Sequence, residues 1–295
     1  VADTKIGIEA YRDDHAETLR RLFELTASNC VHCHPVDLGT FAETLGGKTE
    51  SVLDERVFVS VDSGRPTGFS HAVIRNPKDV EGHCGAIRFL CYEPGDRPSG
   101  LALLHHTVSY LRDQNVAQIR AFDQRDQYAF YHRNHAYLSD RIGHVQALLS
   151  CEGFVANSGE VHLDWDDYDP GEPFETEQPF DLVWTQEERA GPIPAFKGKA
   201  TIDDTFVGEC HVVSCADRHA SQGDRLFVNW LGVEEDFQGK GYGRFILQEA
   251  LREGKRLGYR HAAISTARRN HRAYAFYTNY GFRVTDWTYG WALKE

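Results

Sequence analysis

Apolar residues recur along the chain at two periods, and the changes from one period to the other mark its elements. Residues 225–230 read as a buried strand. Beyond them Ile246, Leu247, Ala250, Leu251 and Leu257 return at helical spacing until Gly258, a C-cap residue. Residues 261–266 are strand-like, and Ala273, Phe276, Tyr277 and Tyr280 share one face of a further helix that Gly281 ends.

The first half gives a longer series. Strands are expected over 5–11, 56–61, 67–74, 86–91, 118–122 and 161–165. A helix follows Asp14 with Leu19, Leu22, Phe23 and Leu25/Thr26 as its stripe, and a second covers 35–45. A third carries Leu101, Leu104, Val108 and Leu111 on one face, and a fourth spans 137–149. The order is βααβββαβαβ. Residues 166–177, rich in Asp, Pro, Gly and Glu, read as a linker. After it come a strand at 180–185 and a hairpin of 196–202 with 205–214, which leaves no room for two helices between them.

These patterns describe an α+β protein whose chain divides into two parts, 1–168 and 169–295.

The most informative stretch joins the strand at 225–233 to the helix near 242. Gly239, Gly241 and Gly243 remove side chains where backbone must come close to something, and a helix N-terminus offers unpaired N–H groups. The combination suits a phosphate-bearing ligand. A P-loop would need Ser or Thr after Lys240, and a dinucleotide fingerprint would need glycine at Arg244. Neither is present. Gln238, Gly241 and Gly243 instead form Gln-x-x-Gly-x-Gly after Leu231 and Val233, and Asn270, Ala273, Tyr277, Gly281 and Phe282 form Asn-x-x-Ala-x-x-x-Tyr-x-x-x-Gly-Phe. In this order the two motifs resemble the signatures of the GCN5-related N-acetyltransferase (GNAT) superfamily.

The resemblance implies a fold, a mixed, mostly antiparallel sheet flanked by helices in two tandem copies, together with a donor and a reaction. Acetyl-CoA would be held by Leu231, Gly232, Val233, Gln238, Gly239, Lys240, Gly241, Tyr242, Gly243, Arg244, Asn270 and Tyr277, with Tyr277 as the general acid toward the departing thiolate. Arg268, Arg269 and Arg272 add positive charge nearby. The base that deprotonates the amine is not marked by a motif. Glu209 and His211, on the neighbouring strand, are the candidates, along with an ordered water. Arg97, Gly100 and Ala102 match a loose Arg-x-x-Gly-x-Ala form of the donor motif in the first domain. There, however, Ile142 and Leu149 fall at the places of Asn270 and Tyr277, and a leucine cannot donate a proton. The first copy therefore reads as degenerate. In this family the missing helices of the second copy commonly wall the acceptor site, so the first domain is expected to supply that wall.

Composition narrows the partners. The formal net charge of −12 is carried mostly by residues 1–170, at −10, against −2 for the rest. That argues against nucleic acid and mildly favours an amine-bearing acceptor. No apolar run is long enough to cross a membrane, and seven scattered cysteines suit a reducing compartment, so the cytoplasm is the expected location. A monomer or homodimer is expected, with Trp287, Tyr289 and Trp291 facing a partner or the acceptor. Cys30, His32, Cys33 and His34 crowd four metal-ligating types into five residues, and a second pair would come from His71, His83 or Cys84. The favoured reading is a helix-end loop lining the acceptor pocket, with no metal. Two rivals to the acetyltransferase remain: a non-catalytic acyl-CoA sensor, and a tandem acyltransferase like mycothiol synthase.

Overall fold

In a computed structural model the chain is described over residues 6–49, 52–78, 81–126, 128–131, 134–172, 174, 176, 180–187, 192–215 and 222–294. It divides into two units, residues 1–160 with 286–295, and residues 161–285. Lys5 and Glu177, at the ends of two expected segments, lie outside the described residues.

Unit 1 opens with β1 (Gly7–Ala10), α1 (Ala16–Ala27) and α2 (Leu38–Gly46). The α1 stripe is the one read from sequence, with Leu19, Leu22, Phe23 and Thr26 buried. α2 starts at Asp37, whose carboxylate accepts the Thr40 N–H at 2.9 Å. β2 (Asp54–Asp62) and β3 (Arg65–Arg75) form a hairpin. Ser63 and Gly64, both at positive φ, make its two-residue turn. β4 (Cys84–Tyr92) is buried at every position, because α1 contacts it as well as α3 (Arg97–Asp113). α3 leads to β5 (Gln118–Ala121), parallel to β4.

The fourth helix is shorter than expected. Leu138 and Ser139 form a short strand, β6, and α4 covers only Gly143–Cys151 before β7 (Phe154–Trp165). The apolar residues at 137–142 satisfy a strand edge rather than a helix face. The core is dense in rings: Phe23 lies 5.9 Å from Phe41, 5.4 Å from Phe89 and 5.1 Å from Phe130, centroid to centroid.

Unit 2 takes over within β7. β8 (Asp181–Glu187), β9 (Ala195–Ile202), β10 (Thr205–Ser214) and β11 (Arg225–Val233) run antiparallel in sequence. Asp203 and Asp204, at positive φ, turn β9 into β10. Among the described residues no helix stands between β8 and β9. α5 (Tyr242–Leu257) crosses to β12 (His261–Ala267), which is parallel to β11, and α6 (His271–Tyr280) follows. Ile246, Leu247, Ala250 and Leu251 bury the α5 stripe, each such aliphatic side chain larger than alanine contributing roughly 1.5–3 kcal/mol. Gly258 at φ 111° and Gly281 at φ 138° end the two helices in a conformation that suits glycine.

The final strand, β13 (Arg283–Leu293), belongs to unit 1 from Asp286 onward and pairs antiparallel with β5 at Trp291↔Ala121. Trp291 is therefore a core residue of unit 1. Of the three aromatics expected to face a partner or the acceptor, Trp291 is thus packed into unit 1, while Trp287 and Tyr289 are half-buried.

The segment read as a linker is instead fastened to α5. Gln248 is buried on that helix; its Oε1 accepts the Phe174 N–H at 2.6 Å, and its Nε2 donates to Pro170 O at 2.6 Å and Glu172 O at 2.5 Å. One side-chain amide thus satisfies three backbone groups of that segment.

Candidate active site

The candidate site lies where β11 and β12 part. Their parallel register runs from Arg225↔His261 to Val228↔Ile264, and β11 continues to Val233. Asn229 is the extra residue of a bulge against β10, since His211 faces Trp230 while Val212 faces Val228. A groove of about 400 Å³ opens there, lined by Leu231, Val233, Gly241, Gly243, Arg244 and Asn270 among others.

The N-terminus of α5 heads this groove. Its N-cap is Gly241, at φ 90°, with no side-chain cap and no acidic residue in the first turn. By contrast α2, α3 and α6 begin at Asp37, Asp96 and Asn270, whose side chains each accept a backbone N–H. The open end presents donors and the positive end of the helix dipole to the groove, an arrangement suited to pyrophosphate. Phe174, brought in by Gln248, sits where a Cβ on Gly241 would come within 2.7 Å of its Cε1. The same ring lies 4.6 Å beneath the Arg244 guanidinium, which also faces Tyr280 at 5.9 Å. Arg244 is thus held beside the helix end by two rings.

The other expected donor residues divide by role. Gln238 lines the groove and ties its loop down, donating to Val233 O at 2.9 Å. Gly239 also lines it, at φ 80°. Lys240 turns back to donate to Asp236 O at 2.8 Å and lies over the Phe237 ring. Tyr242 buries its ring against Phe180 and Phe237, so only its backbone is available to a ligand. Asn270 lines the groove while its Oδ1 caps α6 through Ala273 N at 3.1 Å. Arg272 lines the groove too, and its Nη1 reaches Gln238 Oε1 at 3.4 Å. Tyr277 is 7% exposed, with its ring 5.2 Å from Phe276 and 6.2 Å from Phe282. The groove reaches Phe276, its neighbour on α6.

Strand alternation separates two faces. Leu231 and Val233 line the groove. Trp230 and Gly232 point the other way, with the indole Nε1 2.9 Å from where a Cβ on Gly232 would sit. On that second face Glu209 is in register with Gly232 and His211 with Trp230. Glu209 Oε2 lies 2.8 Å from Lys197 Nζ, and His211 Nε2 lies 3.2 Å from Glu187 Oε2. The partnership raises the Lys197 pKa, chiefly through its hydrogen bond to Glu209. Trp230 is 57% exposed.

The corresponding place in unit 1 is built differently. Only residues 93–96 separate β4 from α3, against 234–241 between β11 and α5. Asp96 caps α3 by accepting the Ser99 N–H at 3.3 Å, and Pro98 removes another donor. The Tyr92 ring lies against Gly100, and its hydroxyl donates to His144 O at 2.9 Å. Ile142 is the N-cap of α4 without a side-chain bond, and Leu149 is fully buried.

In the Cys30–His34 segment Cys30, His32 and His34 are buried. His32 Nδ1 lies 3.2 Å from Asp286 Oδ2 in the core of unit 1, and burial pushes the Cys30 thiol up to about 12. His71 is held between Glu55 and Tyr128, and Cys84 Sγ contacts Gly85 O. Among the described residues no three His, Cys, Asp or Glu side chains converge as a metal-ligand set.

Trp230, Phe174 and Gln248 were not marked by a motif. Gln248 falls beside the apolar stripe of α5 rather than within it, so periodicity did not mark its burial. Phe174 gave no signal, because Asp, Pro and Gly around it read as a linker.

Comparison with known proteins agrees with this geometry. Residues 160–282 match the Acetyltransferase (GNAT) family. No curated protein sequence matches the chain significantly. A tandem GNAT protein from the clavulanic acid biosynthesis pathway shares the fold with a TM-score of 0.62 at 15% identity, covering 98% of each chain. A GCN5-related N-acetyltransferase from Sphaerobacter thermophilus gives 0.62 at 14% identity, over 97% of this chain and 95% of that one. The GCN5-related glucosamine N-acetyltransferase region of a fungal multi-domain GH3 β-N-acetylglucosaminidase gives 0.68 at 13% identity, over 99% of this chain and 38% of that one. Residues 160–282 are therefore similar to the GNAT family, and the chain as a whole shares the fold of these GNAT proteins.

Proposed function

We propose that the protein is an N-acetyltransferase that moves the acetyl group of acetyl-CoA to a primary amine, using unit 2 alone for donor binding and chemistry. The observation that carries this reading is the groove at the parting of β11 and β12, headed by the uncapped N-terminus of α5. Gly241, Gly243 and Arg244 hold the pyrophosphate, and the backbone of 231–233, beyond the residues paired with β12, aligns the pantetheine arm. The first copy is a scaffold, because Tyr92, Asp96 and Pro98 occupy or remove what the donor would need.

The acceptor approaches on the opposite face of β11. Glu209, already beside Lys197, draws in the cationic amine, and His211, oriented by Glu187, takes its proton. The amine nitrogen then forms the bond to the acyl carbon, the C–S bond breaks, and Tyr277 protonates the thiolate. The exposed indole of Trp230 offers a flat platform for a ring-bearing acceptor. An amino sugar suits it, in keeping with the glucosamine-acting fungal neighbour.

Thiol release from acetyl-CoA with glucosamine as acceptor tests the proposal. Tyr277→Phe is expected to lower kcat by about 10²-fold or more without changing donor affinity. Trp230→Ala should raise the acceptor KM roughly 2- to 10-fold. Acetyl-CoA binding with no turnover on any of a panel of sugar, polyamine and amino-acid amines would instead support a sensing role.

A further inference from the structure

Each unit carries a histidine at the same place in its sheet, and the two have different surroundings. In unit 1 His71 on β3 faces Phe89 on β4, Ala72 faces Ile87, and Arg88 is the extra residue of a bulge. In unit 2 His211 on β10 faces Trp230, Val212 faces Val228, and Asn229 is the extra residue. His71 is therefore the counterpart of His211, and Phe89 of Trp230. Both imidazoles meet a carboxylate through Nε2, Glu55 at 2.7 Å and Glu187 at 3.2 Å. The glutamates come from different strands. Glu55 stands in β2 two residues before Val57, which faces His71; Ala195 stands in β9 two residues before Lys197, which faces His211. Glu187 on β8 is the residue paired with Ala195. The row keeps its carboxylate although another strand supplies it.

In unit 1 the chain itself fills the space over this pair. The Tyr128 hydroxyl lies 2.6 Å from His71 Nδ1, and its ring stacks on Phe89 with centroids 5.4 Å apart and planes at 22°. Burial raises the Tyr128 phenol above its ordinary pKa, so it stays protonated. Glu55 stays ionised, against its burial, through hydrogen bonds from His71 and Thr49. The hydroxyl therefore donates to Nδ1, and Nε2–H donates to Glu55. In unit 2 the same face is open. Trp230 is 57% exposed, and among the described residues no helix stands between β8 and β9 to cover it as Phe23 of α1 covers Phe89. Tyr128 lies in the stretch 122–137 between β5 and β6, whereas only 268–270 separate β12 from α6.

We propose that the acceptor takes in unit 2 the place that Tyr128 takes in unit 1. It is a primary amine borne directly on a six-membered ring, with the ring on Trp230 and the nitrogen on His211 Nδ1. This rests on the acetyl-transfer reading of unit 2 and narrows its acceptor. Glu187 at Nε2 leaves the lone pair on Nδ1. With the acceptor as free amine, one N–H proton passes to Nδ1 as the nitrogen bonds to the acyl carbon. The C–S bond breaks and the thiolate takes the Tyr277 proton. Imidazolium and phenolate remain, and one proton passing from the first to the second resets both. An amine on an exocyclic carbon stands one bond farther from its ring than the Tyr128 oxygen does.

Thiol release from acetyl-CoA with four acceptors is the test. Glucosamine and 4-aminophenol carry the amine on the ring; 6-amino-6-deoxyglucose and putrescine do not. At least one ring-borne amine should exceed both of the others by about 10-fold or more in kcat/KM. The faster of the two shows whether the ring is a saccharide or an arene. Trp230→Phe, which installs the residue of unit 1, should hold the KM for that acceptor within about 3-fold, whereas Trp230→Ala should raise it roughly 2- to 10-fold and leave the acetyl-CoA KM unchanged. Equal or faster turnover of 6-amino-6-deoxyglucose or putrescine, or an acceptor KM that Trp230→Ala leaves unchanged, overturns this proposal and leaves the acetyl-transfer reading standing. Thiol release with none of the four overturns both.

Discussion

The ring of Tyr92 covers Gly100 so closely that a Cβ on Gly100 would sit 2.7 Å from its Cε1 and Cζ. In the first copy this glycine makes room for an aromatic ring inside the fold; in the second Gly241 also meets a ring, that of Phe174, but with Gly243 it lines the groove. Gly100→Ala should therefore destabilise the fold by about 1–3 kcal/mol through overpacking and leave acetyl-CoA affinity unchanged. Urea unfolding and donor titration of the same sample give both quantities. Loss of donor affinity at normal stability would place acetyl-CoA at α3 instead.

Gln248 links the segment 170–174 to the donor groove. Gln248→Leu strands three backbone groups and frees Phe174 from its place beneath Arg244. The expected cost is about 1–3 kcal/mol of stability, together with several-fold weaker acetyl-CoA binding. Phe174→Ala should reproduce the weaker binding while leaving the Gln248 hydrogen bonds in place.

These two relationships show what could be read from sequence and what could not. Strand 225–233, the glycine turn and the helix after it were legible because local backbone chemistry fixes them. The α1 stripe, the β2–β3 hairpin and the β8–β9–β10 order followed from periodicity and turn residues in the same way. The hold on 170–174 was not legible, because it depends on one glutamine 74 residues beyond Phe174. The burial of Trp291 depends on β13 pairing with β5, a contact that no local pattern announces. Gly100 looked like a donor-site glycine because sequence shows the absent side chain and not the ring that fills its space.

Acid should weaken unit 1 through Glu55. Burial alone would raise this carboxyl, but hydrogen bonds from His71 and from the Thr49 backbone and hydroxyl, with the charge of His71, hold it down to about 2 from an ordinary 4.5. Arg88 Nη1 lies 3.0 Å from the same oxygen that His71 meets at 2.7 Å. A lowered folded-state value means that this stabilisation is present above pH 4.5 and is lost as pH falls toward 2. Asp126 acts in the opposite sense. Burial, only partly opposed by Arg75, lifts it to about 6, so its protonation below that pH favours the fold. Urea midpoints should fall with pH below about 4.5 in the wild type and less steeply in Glu55→Gln. Equal slopes in the two proteins would show that Glu55 is not the group responsible.

A single donor site in a protein with the tandem fold is tested most directly by calorimetric titration of acetyl-CoA into the full chain. Gly243→Trp is the companion variant: a Cβ there would meet only Val233 Cγ2 at 3.5 Å, so the indole can enter the groove without forcing the backbone. One acetyl-CoA per chain is expected, bound by the wild type and by Gly100→Ala and lost in Gly243→Trp. Two per chain, or one that survives Gly243→Trp, would contradict it.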